Sequence, residues 1–137
     1  MPVFASTEEL NEVMERLWNQ IKADPTMSQQ LLKAKMCVCF HYREPEGRLT
    51  LDCTDGTNIK IMTGESKLKP VVEMFMKSDV AHQFWLGQVN VPVAILSGKI
   101  VSKGPVNKVL ALLPVVKPAY AMYPEIFETA KMKRMAG

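Results

Sequence analysis

The chain has 137 residues, enough for one domain with a sizeable core, and 47% of them are apolar. Its net charge is only +3, with scattered basic residues, which argues against a dedicated nucleic-acid binder. No run approaches the roughly 20 apolar residues that span a bilayer, and three cysteines fit a reducing compartment better than a disulfide framework. The first residues carry no charged stretch followed by an apolar run, so no signal peptide is expected and the cytosol is the expected location.

Ser6-Thr7-Glu8-Glu9 is a capping box, in which the serine hydroxyl accepts from the Glu9 amide and the glutamate reaches back. Leu10, Val13, Met14, Leu17 and Ile21 then recur at helical spacing, predicting an amphipathic helix that ends near Asp24-Pro25. A second short helix is expected over 28–35. The period changes to two at Met36, Val38, Phe40 and Tyr42, which alternate with Cys37, Cys39 and His41. Leu49, Leu51 and Cys53 alternate again after the turn at Glu44–Gly47. A two-residue loop at Pro45-Glu46 would place Phe40 opposite Leu51 and gather the apolar residues of both strands on one face. Asp55-Gly56 predicts a second hairpin. Its best register pairs Cys53 with Ile59 and Leu51 with Ile61 through a three-residue loop.

A fourth strand is expected over Val71–Met76, followed by a helix capped by Ser78 that carries Val80, Ala81, Phe84 and Trp85 and stops at Gly87. Asn90 should cap another, with Pro92 in its first turn and Gly98 beyond its end. Lys99–Lys103 reads as a fifth strand. A helix should follow over Val106–Leu113, ended or kinked by Pro114. The remainder reads as helical pieces broken at Pro118 and Pro124, with 114–137 forming a C-terminal helical extension. These elements predict one α+β domain over 1–137: a five-stranded sheet, made of an antiparallel three-strand meander plus two later strands, covered by helices.

The order of elements resembles the sterol carrier protein 2 family, the non-specific lipid-transfer proteins. The resemblance is carried by Gly47-Arg48-Leu49-Thr50-Leu51-Asp52 with Gly56, by Ser78-Asp79 before a helix containing Phe84 and Gly87, by Ala94-Ile95-Leu96-Ser97-Gly98-Lys99-Ile100, and by Gly104. It covers roughly Leu10 to Leu113. Two departures stand out: Pro105 occupies a place where the family commonly has an aspartate, and Leu112–Arg134 is longer and richer in Pro and aromatics than the usual tail. The resemblance implies a sheet backed by helices, with an apolar tunnel between them for sterols, fatty acyl chains or phospholipids, and it implies no cofactor.

On that reading the residues expected to hold lipid are Met74, Met76, Phe84, Trp85, Val93, Leu96, Ile100, Val109, Leu110 and Leu113. Any one of them is also an ordinary core residue by type. Ten methionines suit either core filling or a plastic ligand cavity. The greasy stretch with Tyr120, Met122, Tyr123 and Phe127 is expected either to close the core or to form a lid hinged near Pro114 or Pro118. Lys131, Lys133 and Arg134 suit a helix C-terminus or a transient contact with anionic membranes.

Cys37, Cys39 and His41 share a strand face with Asp52 opposite, but ligands alternating along a flat strand converge poorly on a tetrahedral ion, so no metal is expected. A Cys39–His41 nucleophile with Asp52 lacks a plausible oxyanion hole. His82 is expected to face solvent or to cap packing. No P-loop, dinucleotide fingerprint or nucleophile elbow is present. The expected function is therefore non-catalytic binding, with possible transfer, of a fatty acyl chain, sterol or phospholipid, by a monomer or homodimer. The alternative is an accessory or regulatory domain that uses its apolar groove for a protein partner or for self-association.

Overall fold

A computed structural model describes residues 2–136. Helix α1 (Thr7–Ala23) and helix α2 (Pro25–Ala34) precede strands β1 (Cys37–Arg43), β2 (Gly47–Asp52), β3 (Lys60–Thr63) and β4 (Val72–Lys77). Helices α3 (Ser78–Trp85) and α4 (Val91–Leu96), strand β5 (Ile100–Lys103), helices α5 (Val106–Leu110) and α6 (Leu113–Val116), a 3-10 turn over Lys117–Ala121 and helix α7 (Tyr123–Ala136) complete the chain. The sheet order is β3-β2-β1-β4-β5. The β1–β4 pair is parallel and the others are antiparallel, so the expected α+β sheet is present, with mixed strand directions.

The cap of α1 forms as expected on one side: Ser6 Oγ accepts from the Glu9 N–H at 3.1 Å. Glu9 reaches back one residue further than the motif predicts, and its carboxylate accepts from Ala5 N–H at 2.8 Å. Asp24 ends α1 and caps α2 through Met27 N–H, so α2 starts at Pro25 rather than at Ser28.

The β2–β3 register pairs Leu51 with Ile61, as the alternation predicts. Asp55 Oδ1 accepts from Thr57 and Asn58 N–H and holds that turn. In the β1–β2 hairpin Phe40 lies opposite Leu49, not Leu51. The shift is two residues, and a shift of two leaves every side chain on its own face, whereas a shift of one would invert them all.

Ser78 is the first residue of α3 and not its cap. Its buried hydroxyl donates to the Glu44 carbonyl at 2.7 Å and ties the β1–β2 turn to α3. Asn90 does cap α4, through Val93 N–H at 3.1 Å. Pro114 begins α6 rather than ending α5, because proline is tolerated in a first turn where no intrahelical N–H bond is needed. Gly104, just past β5, has φ +102, and a Cβ there would sit 2.2 Å from the Val71 carbonyl oxygen, so only glycine lets β5 leave the sheet beside β4.

The last third of the chain is part of the core. Val116, Ala119, Tyr123, Ile126, Phe127 and Ala130 are buried, and α7 packs on α1. Lys133 and Arg134 do not present a free basic face: their side chains donate to Glu12 and Glu9 of α1 at 3.0 and 2.9 Å. The N-terminal residues close the same region. Val3 N–H donates to Asp79, and the buried Phe4 ring meets those of His82 and Phe127 edge-on.

Candidate functional site

Strand alternation sorts the sheet into two faces. Val38, Phe40 and Tyr42 of β1 share one face with Leu51, Met74, Met76 and Ile100 of the neighbouring strands. Above it stand Trp18 of α1, Leu31 of α2, Ala81, Phe84 and Trp85 of α3, Val91 of α4 and Val109 of α5, with Leu112, Leu113 and Val116 closing the far side. Between the two layers these seventeen residues line an apolar cavity of about 90 Å³. Three side-chain nitrogen or oxygen atoms belong to its wall residues, those of Trp18, Tyr42 and Trp85, and no wall residue is charged. The aromatic rings brace one another: Trp18 stacks on Phe40 at 5.9 Å and meets Trp85 edge-on at 5.6 Å, and Phe84 and Trp85 both contact Tyr120. Burial pushes the Tyr42 hydroxyl well above its ordinary range, so it stays neutral.

Of the ten residues proposed from the sequence, Met74, Met76, Phe84, Trp85, Ile100, Val109 and Leu113 lie on the wall. Leu110 is half-buried against the core and off the wall. Val93 and Leu96 are on the surface, 56% and 87% exposed. The reason is that α4 is six residues long and turns Val91 and Ala94 inward, three apart on one face, which leaves the apolar residues between and beyond them outside. Trp18 was missed, although it falls four residues after Met14 and three before Ile21, on the stripe that defined α1. Val38, Phe40, Tyr42 and Leu51 were legible as one apolar sheet face but not as lining a cavity, and Leu31 was not singled out at all.

No protein-family model matches this sequence, and no similar curated protein is found by sequence. Solved structures do match. Sterol carrier protein 2 from Yarrowia lipolytica, in its apo form, superimposes with a TM-score of 0.63 at 19% identity, covering 88% of this chain and 95% of that one. The sterol carrier protein domain 2 of Helicoverpa armigera gives 0.66 at 19% identity, covering 80% and 89%. The fold is that of sterol carrier protein 2. A palmitated sterol carrier protein 2-like 2 from Aedes aegypti is similar as well, with a TM-score of 0.57 at 16% identity over 77% of this chain and 91% of that one.

The opposite face of the sheet holds the residues considered for a metal or a nucleophile. They do not converge. Cys39 Sγ accepts from Arg48 Nε at 3.2 Å, His41 Nε2 meets Glu73 Oε1 at 2.9 Å, and the Asp52 carboxylate accepts from Thr54. Asp52 lies across from Cys37, not from Cys39 as the two-residue loop would have it. Among the described residues no group of three or more His, Cys, Asp or Glu side chains is placed to hold a metal ion. All three thiols are free and buried, and burial holds Cys37 up and raises Cys53 to about 11.

His82 is half-buried and is not on the cavity wall. Its Nδ1 lies 2.7 Å from the Tyr123 hydroxyl, among Phe4, Tyr123 and Phe127. Burial holds the imidazole below its ordinary 6.5, against the smaller opposing effects of Asp79 and Glu128. Burial also raises Tyr123, so the hydroxyl keeps its proton beside a neutral ring. The unfolded chain then takes up a proton on His82 more readily than the folded one. Stability is full above the unfolded value and falls as pH drops through 6.5 toward the lower folded value, where the loss levels off. Urea midpoints at pH 7.5, 6 and 5 should show this decline, and His82→Gln, which keeps a hydrogen-bonding partner for Tyr123, should flatten the part of it due to His82. An identical decline in both proteins would assign it elsewhere.

Proposed function

We propose that this protein binds a lipid in the cavity between sheet and helices and carries it between membranes. The observation that supports this is an uncharged wall of seventeen residues around a void, in a fold that a palmitated protein also has. Unfilled apolar volume forfeits contacts, and each methylene moved from water into it recovers about 0.8 kcal/mol. Such a site has no catalytic residue on its wall, and the protein acts as a binder rather than an enzyme.

The void is smaller than the apolar cavity of about 150 Å³ that holds one benzene, so an acyl chain enters by moving part of the wall. The side that yields is the one built from α4, α5 and α6, of six, five and four residues. Helices this short have little stability of their own. The sheet and the seventeen-residue α1 form the fixed side.

Transfer also needs a surface that meets a bilayer. Residues 80–124 contain four lysines and no carboxylate, whereas the rest of the chain carries thirteen cations and fourteen carboxylates. This stretch supplies nine wall residues and also presents the exposed Val93 and Leu96, with Lys99 three residues on. An apolar tip on a cationic segment fits an anionic bilayer. The rival use of the groove for self-association through Tyr120–Phe127 loses support, since Tyr123 and Phe127 are already buried in the chain's own core.

The test has two arms. A fluorescent fatty-acid ester should bind at micromolar concentration, and wild-type protein should speed its exchange between phosphatidylserine-containing vesicles. Leu96→Asp should slow exchange at least tenfold while leaving binding intact. Absence of any lipid binding would overturn the proposal, and exchange unaffected by Leu96→Asp would overturn the docking face alone.

A further inference from the structure

Strand β5 is an edge of the sheet and pairs with β4 alone. In an antiparallel ladder every second residue turns its N–H and C=O away from the partner strand. Outside the β4 ladder no backbone hydrogen bond engages residues 100–103 among the described residues. The opposite edge, β3, is braced by α1, with Thr63 donating to Glu15 at 2.8 Å. Ile100 faces the cavity, so alternation sets Val101 and Lys103 on the outer face, and Lys99 precedes the strand. Val101 is 48% exposed. Neither lysine has an ion pair among the described residues. Glu73 lies directly across from Lys103, but its carboxylate is turned to His41 at 2.9 Å, and Lys103 Nζ lies 5.0 Å from the centre of the Phe75 ring.

These features choose the occupant. Two copies of β5 paired antiparallel about Val101 would set Lys99 of each against Lys103 of the other, and like charges across a ladder are destabilising. A bilayer supplies cations with counter-charge but leaves free backbone groups without partners. We infer that β5 accepts an added strand from an acidic, extended segment of another protein, with an apolar residue opposite Val101 and a carboxylate two positions to either side of it, facing Lys99 and Lys103. Main-chain bonds to the free edge hold the segment, and the charges fix its register, because a slip of one residue turns both carboxylates to the other face. The residues between them must be small, since they fall on the cavity side, where α4 packs on β5. The inference does not need lipid binding, and failure of either leaves the other untouched.

The probe is the blocked peptide acetyl-Thr-Glu-Thr-Val-Thr-Glu-Thr-amide, titrated into the ¹⁵N-labelled full chain. Amide shifts and slowed hydrogen exchange should centre on residues 100–103. A peptide of the same composition with its two glutamates adjacent should bind more weakly. Lys99→Glu combined with Lys103→Glu should weaken binding about tenfold and reverse the preference toward a peptide carrying lysine in place of both glutamates. That reversal also shows that the variant is folded. N-methylating the alternate peptide residues whose N–H groups face β5 should abolish binding, and methylating the other set should leave it. Absence of binding, shifts centred elsewhere, or indifference to residue order or to the methylated set overturns the inference. So does a dimer of the protein alone that the charge reversal disrupts, which would assign the edge to a second copy. Protection of residues 100–103 by phosphatidylserine-containing vesicles and not by the peptide would assign it to a bilayer and overturn the inference as well.

Discussion

Deleting residues 117–137 should leave a chain that does not fold. The cut removes Ala119, Tyr123, Ile126, Phe127 and Ala130 from the core and strips α1 of α7. Truncating one buried aromatic typically costs about 3–5 kcal/mol, and losing two with their neighbours exceeds much of the roughly 5–15 kcal/mol that holds a domain together. Glu9, 8% exposed, would also lose Arg134 and keep a buried charge without its partner. Far-UV circular dichroism and urea titration would show the loss of a cooperative transition, and Tyr123→Ala alone should lower stability by about 3–5 kcal/mol. A truncated protein that still unfolds cooperatively and exchanges ligand faster would instead make the C-terminal segment the lid that its prolines suggest in the sequence.

Ala81→Leu should separate stability from binding. Ala81 is buried on the wall, so three added carbons project from α3 into the void. Cavity-filling changes of this kind contribute about 0.5–2 kcal/mol, a rise of about 2–8 °C in Tm per kcal/mol for domains of this size range. The same carbons occupy the place of the ligand, so lipid affinity should fall at least tenfold. Calorimetry and a fluorescent-ester titration measure the two effects on one sample. A variant that binds ester as the wild type does would show that lipid is held somewhere else.

How much of this could be read in advance depended on how local the deciding interactions are. The cap at Ser6, the cap at Asn90 and the β2–β3 register each follow from residues within a few positions of one another, and the fold forms them as the sequence predicts. The β1–β2 turn was off by two residues because alternation fixes only the face, and any even shift satisfies it. The parallel pairing of β1 with β4 joins residues more than thirty positions apart, which no local pattern encodes. Val93 and Leu96 were misplaced because VPVAIL is apolar all round, and a helix of six residues carries too few turns for its periodicity to show which side is inward. Pro114, Pro118 and Pro124 marked breaks correctly, but each sits at the start of the next helical piece, which lets the chain fold back and close the core, the first of the two alternatives its sequence left open. Trp18 was overlooked as a wall residue because the side of α1 that meets the cavity depends on how α1 lies across the sheet.

The three cysteines give the molecule a built-in clock. Cys37 and Cys39 lie on the central strand and Cys53 just beyond its neighbour, all buried with free thiols. Cys37 and Cys39 face away from the cavity, with Arg48 donating to Cys39, whereas Cys53 belongs to the core on the helix side. Alkylation of the first two therefore follows uncovering of the outer sheet face, and alkylation of Cys53 follows opening of the core, so the two motions can be timed apart in the same tube.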